Sequence, residues 1–167
     1  MKRLILLLFS FCLLSGGAGP TAAGNTVQQT VSFEVQNINE LEFVGTPSLV
    51  LSSISDEAKM MMEPDSEILS YHITFNNPCH IRARLMSRMQ EYSELFVEME
   101  APPGGTSYGQ KSLNDYASGF PYGFQTLVYT GDYGKARNLK ITFTLEAFVI
   151  VPPGSYTNTI EFYAGGI

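Results

Sequence analysis

The stretch KITFTLEAFV, residues 140–149, decides the fold because its hydrophobicity alternates almost without a break. Every second residue from Lys140 to Glu146 is polar, and the residues between them are apolar. The apolar positions are Ile141, Phe143, Leu145, Ala147 and Val149. A period of two places successive side chains on opposite faces of a strand, so this run predicts a strand with one face on a core and one in water.

The same alternation recurs along the chain, in the runs 27–35, 71–75, 81–85, 95–99 and 160–162. Shorter strand candidates are 41–44, 48–51 and 124–130. Many short strands, each with an inner and an outer face, predict an all-β protein with an antiparallel, immunoglobulin-like β-sandwich. The predicted core comprises Val31, Phe33, Ile73, Ile81, Leu85, Val97, Ile141, Phe143, Leu145 and Ile160.

Turn residues separate the runs, at 76–78, 101–105, 131–132 and 152–154. The segment 55–63, SDEAKMMME, is the exception because it lacks alternation. Ser55 could cap a helical turn that Pro64 would end, so a short helix between the sheets is predicted there. The three methionines at 60–62 could suit a soft metal, but core filling is the simpler interpretation.

The first 23 residues have the three-part layout of a secretory signal peptide. Lys2 and Arg3 are followed by an apolar run over 4–14 and by small residues over 15–23. Cleavage is expected after Ala23, with a cut after Ala18 as the alternative. We therefore expect export to the periplasm, cell surface or medium, followed by a single mature domain over 24–167, without a transmembrane helix.

Charge and cysteine content narrow the classes of partner. Of 10 basic and 16 acidic residues, two basic ones lie in the predicted signal peptide, which leaves a net charge of −8 on 24–167. Such a chain repels phosphate backbones, so nucleic-acid binding is not expected. Cys12 lies inside the signal segment, where the bulky neighbour Phe11 argues against lipid attachment. Cys79 is then the single mature cysteine, and its strand parity predicts a buried thiol.

No pattern in the chain predicts catalysis, a metal or a cofactor. Residues 105–109 match the G-x-S-x-G pattern around Ser107, but a turn precedes it, no helical period follows, and both histidines come earlier. His72 and His80 could approach each other across a tight hairpin, yet nearby arginines disfavour a cation. Glu94, Glu98 and Glu100 share one face of one strand, which indicates a charged outer face rather than a catalytic pair.

Aromatic residues form the remaining candidate, in a glycine-containing stretch over 108–133. Exposed tyrosines on loops can stack on a sugar or on a protein partner, although the chain has no tryptophan. The candidate ligand surface comprises Tyr108, Tyr116, Phe120, Tyr122 and Tyr133. Packing of these rings onto the sheets is the alternative.

The run PGSYTNTIEF at 153–162 resembles the closing strand of exported bacterial β-sandwich proteins of the spore-coat U and archaic pilin type. The segment 101–113 is more loosely similar to uncharacterised secreted bacterial proteins. The first resemblance implies an immunoglobulin-like fold and a role in surface structures. It also implies a missing strand that a neighbour's amino-terminal extension fills. No N-x-Ser/Thr site occurs, in keeping with a bacterial source.

The expected function is that of an exported, non-enzymatic structural or adhesive protein, with a pilin-like subunit as one form. The alternation at 27–35 is what a donor strand requires, and its apolar residues are Val27, Val31, Phe33 and Val35. The same run could instead be an ordinary first strand of its own domain. A sugar- or ligand-binding module that uses 108–133 is the alternative function, and a hydrolase that uses Ser107 is a distant third.

Overall fold

A computed structural model of the chain describes residues 32–114 and 123–166. The predicted signal peptide, the run 27–31 and the aromatic residues Tyr116, Phe120 and Tyr122 lie outside these ranges. The chain divides into two compact units, Met1–Glu34 and Val35–Ile167. All the described strands belong to the second unit.

Eleven strands make up the described secondary structure. In chain order they are β1 (Asn39–Val44), β2 (Ile54–Asp56), β3 (Met61–Met62), β4 (Asp65–Phe75), β5 (Cys79–Leu85), β6 (Ser93–Met99), β7 (Thr106–Ser107), β8 (Lys111–Ser112), β9 (Gln125–Tyr129), β10 (Gly134–Ala147) and β11 (Ile160–Gly166). The long strand β10 contains most of the alternating stretch quoted above. The described residues contain no helix that is long and apolar enough to cross a membrane.

The strands form two main sheets and a small hairpin. The five-stranded sheet has the order β1-β4-β10-β6-β8, and the four-stranded sheet has the order β11-β5-β9-β7. Strands β2 and β3 form a separate two-stranded sheet, and Met61 of β3 also makes an isolated antiparallel bridge to Phe148. Every pairing between these strands is antiparallel. The prediction of an all-β protein with antiparallel sheets is therefore confirmed.

One hydrophobic core takes side chains from both main sheets. The predicted parity holds on the inner strands, where alternate residues are buried. The predicted core residues that are buried are Ile73, Ile81, Leu85, Val97, Ile141 and Phe143. Leu145 and Ile160 are only partly buried, because the first lies near the end of β10 and the second on an edge strand. The Cys79 thiol is free and fully buried beside the Thr130 hydroxyl, at 3.4 Å.

The predicted strand at 27–35 is not seen in its described part. Residues 32–38 form no strand, and Phe33, predicted to be in the core, is 86% exposed. The Asn76 side chain explains the local path. Its amide donates to the Gln36 carbonyl at 2.8 Å, and its oxygen accepts from the Ile38 N–H at 2.8 Å. One side chain thus takes the hydrogen bonds that a neighbouring strand would otherwise make.

The candidate strand at 48–51 is also absent, for a similar reason. The N–H groups of Ser48 and Val50 donate to the carboxylates of Glu67 and Asp65 on β4, at 2.5 and 2.6 Å. Side chains rather than the backbone of β4 therefore hold this segment in place. A short apolar run in the sequence does not distinguish these two modes of pairing.

The predicted helix over 55–63 is wrong, since this segment contains the β2–β3 hairpin. The Ser55 hydroxyl donates across the hairpin to the Met62 carbonyl at 3.1 Å instead of capping a helix. Asp56 accepts from the Lys59 N–H at 3.0 Å and so closes the turn. Met60 has a φ of 55°, a left-handed conformation that reverses the chain direction.

Candidate functional site

The two sides of the pair of sheets differ, and one of them is closed by the chain itself. Along this side the segment 106–112 passes from one sheet to the other, since β7 pairs with β9 and β8 pairs with β6. The Ser107 hydroxyl donates to the Met99 carbonyl of the facing sheet at 2.7 Å. Leu113, which follows the crossing, is fully buried.

The opposite side is bounded by β1 and β11, the edge strands of the two sheets. No described strand pairs with the outer edge of either of them. The two strands lie next to each other, with the ring centroids of Phe43 and Phe162 4.4 Å apart. Leu41 and Ile160 also point toward the core here, and all four side chains remain partly accessible. We call these two strand edges and their four apolar side chains the β1–β11 edge.

The candidate donor segment is described from residue 32 onward. Phe33 is 86% exposed and Val35 is 70% exposed, while Val27 and Val31 lie outside the described residues. Two large apolar side chains two residues apart thus face solvent on a segment without strand pairing. Both side chains are accessible for contact with another surface.

The candidate ligand surface is described at two of its five residues. Tyr108 is 45% exposed and Tyr133 is 81% exposed. Tyr133 lines an open cavity of about 330 Å³, together with Pro103, Gly104, Tyr129, Gly131 and Asp132. Gly131 has a φ of 83°, and a Cβ there would lie 2.9 Å from the Gly104 carbonyl oxygen. The close approach of the two turns, which shapes the cavity, therefore requires glycine at this position.

The structure connects Tyr108 to this cavity through His80. The His80 ring lies edge-on to Tyr108, at 6.4 Å between centroids, and to Tyr129, at 5.5 Å. Sequence reasoning placed His80 only on a polar face and did not associate it with the aromatic residues. The connection depends on the pairing of β5 with β9, which single-strand parity does not show.

The patterns considered for catalysis do not form a described active site. The Ser107 hydroxyl bonds to the Met99 carbonyl and accepts from the Gly109 N–H at 3.2 Å, and it lies on a short edge strand rather than on a strand-to-helix turn. Glu94 and Glu98 occupy outward positions on β6, as their parity predicts. Tyr71 is the single described group with a resolved shift, since burial and then the Glu100 carboxylate raise its pKa well above the usual range.

The hairpin approach of His72 and His80 is wrong, because β4 and β5 belong to different sheets. The turn at 76–78 carries the chain from one sheet to the other instead of joining two neighbours. His72 Nδ1 accepts from the Asn138 N–H at 3.0 Å. Among the described residues, no three His, Cys, Asp or Glu side chains are placed to hold a metal ion.

Comparison with known proteins adds no relative. No family model, no curated protein and no solved structure matches this chain. The described residues define an all-β protein with two main antiparallel sheets around one core.

Proposed function

We propose that this chain is an exported, non-enzymatic structural or adhesive protein of a bacterial surface, and specifically a pilin-like subunit. In this proposal residues 1–23 are removed on export, and the two sheets form an immunoglobulin-like β-sandwich over 24–167. The β1–β11 edge is the observation that carries the proposal. One side of the sheets is closed by a crossing segment, while the other has two adjacent edge strands without a described partner.

An added strand is the occupant that suits this edge. Its backbone would hydrogen-bond to the free edge of β1 or β11, which is how β-strand addition gains affinity. Its alternate side chains would cover Leu41, Phe43, Ile160 and Phe162, which are only partly buried at present. Exposed strand edges otherwise invite uncontrolled aggregation, so a dedicated partner also protects the molecule.

Residues 25–36 of a neighbouring copy are the proposed donor. Their apolar positions are Val27, Val31, Phe33 and Val35, with the spacing that one face of a strand requires. The exposure of Phe33 and Val35 supports a role in trans, because both side chains are accessible to a neighbouring copy. Each large apolar side chain buried in this way contributes roughly 1.5–3 kcal/mol, so four of them would hold a polymer firmly.

Deletion of residues 25–36 from the exported protein tests the proposal. We expect the deletion variant to retain its β-sheet circular dichroism but to aggregate or to require a chaperone. Addition of a peptide with the sequence of 25–36 should restore a stable monomer. If the segment acts in cis, the deletion should unfold the protein, and the intact protein should elute as a monomer at every concentration in size-exclusion chromatography.

A second function, binding of a sugar or another small ligand by the aromatic residues, is favoured by the cavity beside Tyr133. This ring is 81% exposed next to the Asp132 carboxylate, so stacking and hydrogen bonding could act on one ligand. Glycan-array binding that is lost in Tyr108→Ala and Tyr133→Ala would support it. Tyr156→Ala, which removes an exposed tyrosine outside 108–133, is the matched control. Unchanged binding in the first two variants would rule out this site.

A further inference from the structure

The outer face of the four-stranded sheet concentrates positive charge on an acidic chain. Strand β5 buries Cys79, Ile81, Ala83 and Leu85, so its alternate residues His80, Arg82 and Arg84 point outward in file. Two guanidinium groups and an imidazole thus occupy one strand, although the chain has 16 acidic against 10 basic residues.

Arg84 and Arg82 differ in whether a carboxylate pairs with the guanidinium group. Arg84 is paired, since its Nε and Nη2 both lie 2.7 Å from Glu161 on β11. It also stacks on Phe124, with its Cζ 4.4 Å from the ring centroid. Arg84 is therefore occupied within the molecule.

Arg82 has no such partner among the described residues. It forms no ion pair with them, and its Nε is buried without a hydrogen-bond acceptor. Its Nη2 lies 3.5 Å from His80 Nδ1, which is a weak contact. A buried donor that lacks an acceptor costs free energy. We therefore expect the Arg82 guanidinium to turn toward an acceptor that a ligand supplies. A carboxylate is the natural one because it matches the planar fork of donors.

Aromatic residues lie across the strand pair from this arginine and beside the neighbouring His80. Tyr163 of β11 is the direct cross-strand neighbour of Arg82 and is 52% exposed. Its ring lies over Gly165, where a Cβ would approach the ring atoms to 2.3 Å. Tyr108 and Tyr129 flank His80 on the other side. A flat aromatic surface therefore adjoins the unpaired charge.

The outward positions of the described strands β5, β9 and β11 carry no aliphatic side chain. They are His80, Arg82, Arg84, Thr126, Tyr129, Glu161, Tyr163 and Gly165. The face offers aromatic rings, including Phe124, together with guanidinium and hydroxyl groups. A saccharide, which has hydrogen-bonding edges and a flat apolar face, matches this combination of rings and hydrogen-bonding groups.

We infer that the outer face around Arg82 binds an acidic saccharide. The sugar carboxylate pairs with the Arg82 guanidinium, and the sugar ring stacks on Tyr163. This inference rests on the surface location proposed above, but not on assembly through residues 25–36. The centre of the site, Arg82 and Tyr163, lies outside the cavity beside Tyr133, although Tyr129 and Tyr108 adjoin both sites through His80.

Calorimetric titration of the exported protein with trigalacturonic acid and with its methyl ester tests the inference. The two probes share their rings, and the carboxyl groups that are charged in the acid are methylated and uncharged in the ester. We expect the acid to bind at least about tenfold more tightly than the ester, and Arg82→Gln to abolish that difference. Arg137→Gln, an equal loss of charge on the other sheet, should leave it unchanged.

Tyr163→Leu should weaken binding of both acid and ester, whereas Tyr163→Phe should retain it. A nuclear magnetic resonance measurement on the unsubstituted protein needs no variant, since the Arg82 Nε–H signal should shift on addition of the acid alone. Equal binding of acid and ester, no binding, or an unmoved Arg82 signal would overturn the inference. Tighter binding of an oligoglutamate peptide than of the trisaccharide would also overturn it, in favour of a protein partner.

Assembly is measured separately, by size-exclusion chromatography of the same sample. A protein that assembles but does not bind trigalacturonic acid would contradict this inference and leave the proposed function intact. A protein that binds the acid through Arg82 but never assembles would support this inference and contradict the proposed assembly through residues 25–36.

Discussion

At the residue scale, the Tyr71 hydroxyl ties two strands of the five-stranded sheet together. Tyr71 lies on β4, is fully buried, and donates to the Glu100 carbonyl just beyond β6. Tyr71→Phe leaves that carbonyl without its donor, so we expect the free energy of unfolding to fall by about 1–2 kcal/mol. Urea unfolding at pH 7 measures the change. Tyr133→Phe, on an exposed ring, should have no effect, and an equal loss in both variants would contradict the argument.

The same residue makes stability depend on pH in the alkaline range. Burial, and secondly the Glu100 carboxylate, raise the pKa of Tyr71 well above that of an unfolded chain. Above about pH 10 the unfolded chain loses this proton while the folded chain keeps it, so the folded state is disfavoured as the pH rises. The advantage of the unsubstituted protein over Tyr71→Phe should shrink by up to about 1.4 kcal/mol per pH unit. Urea unfolding of both proteins between pH 8 and 11 measures it, and a constant difference would refute the prediction.

At the scale of elements, the sequence predicted strands correctly where a segment pairs with a neighbouring strand. The prediction was wrong where side chains bind the backbone of the segment instead. The runs in β4, β5, β6 and β10 have parities that the core confirms, because apolar burial is a property of the run itself. The end of the alternating run 27–35 and the shorter candidate 48–51 were also predicted as strands, but the side chains of Asn76, Asp65 and Glu67 hold the backbone at residues 36–38 and 48–50. Such contacts join residues from 15 to 40 positions apart, which no local period contains.

The two hydrogen bonds of the Asn76 side chain to residues 36 and 38, which we call the Asn76 clamp, can be tested by substitution. Asn76→Ala removes its contacts to the Gln36 carbonyl and the Ile38 N–H, while the sheets lose nothing from their core. We expect faster amide hydrogen exchange at residue 38, with the free energy of unfolding changed by less than about 1 kcal/mol. Asn77→Ala on the same turn, whose amide makes a longer contact of 3.4 Å to Pro78, is the control. Global unfolding of Asn76→Ala would show that the clamp supports the sheets as well.

At the scale of the whole molecule, the candidate surfaces depend on sheet order, and the sequence alone does not contain it. Parity placed Phe162 on an inner face, but only the order of strands shows that it lies on an edge strand beside Phe43 of β1. Parity likewise placed Arg82 outward without showing that Tyr163 is its neighbour across the strand pair. The sequence therefore predicted on which face Phe162 and Arg82 lie. Which residues lie beside them followed only from the strand order, including the pairing of β11 with β5.

The position of Phe33 allows assembly to be separated from folding in a single substitution. Because this side chain is 86% exposed, Phe33→Asp should leave the free energy of unfolding of the monomer within about 0.5 kcal/mol of its original value. If residues 25–36 pair with the β1–β11 edge of a neighbour, the same substitution places a charge in an apolar contact and should abolish the polymer. Ser32→Asp adds an equal charge on the other face of the segment and should leave assembly intact. Light scattering and urea unfolding of the three proteins measure both effects. A loss of about 2 kcal/mol or more in monomeric Phe33→Asp would show that the segment packs in cis, whereas assembly that survives in Phe33→Asp would remove this face of the segment from the interface.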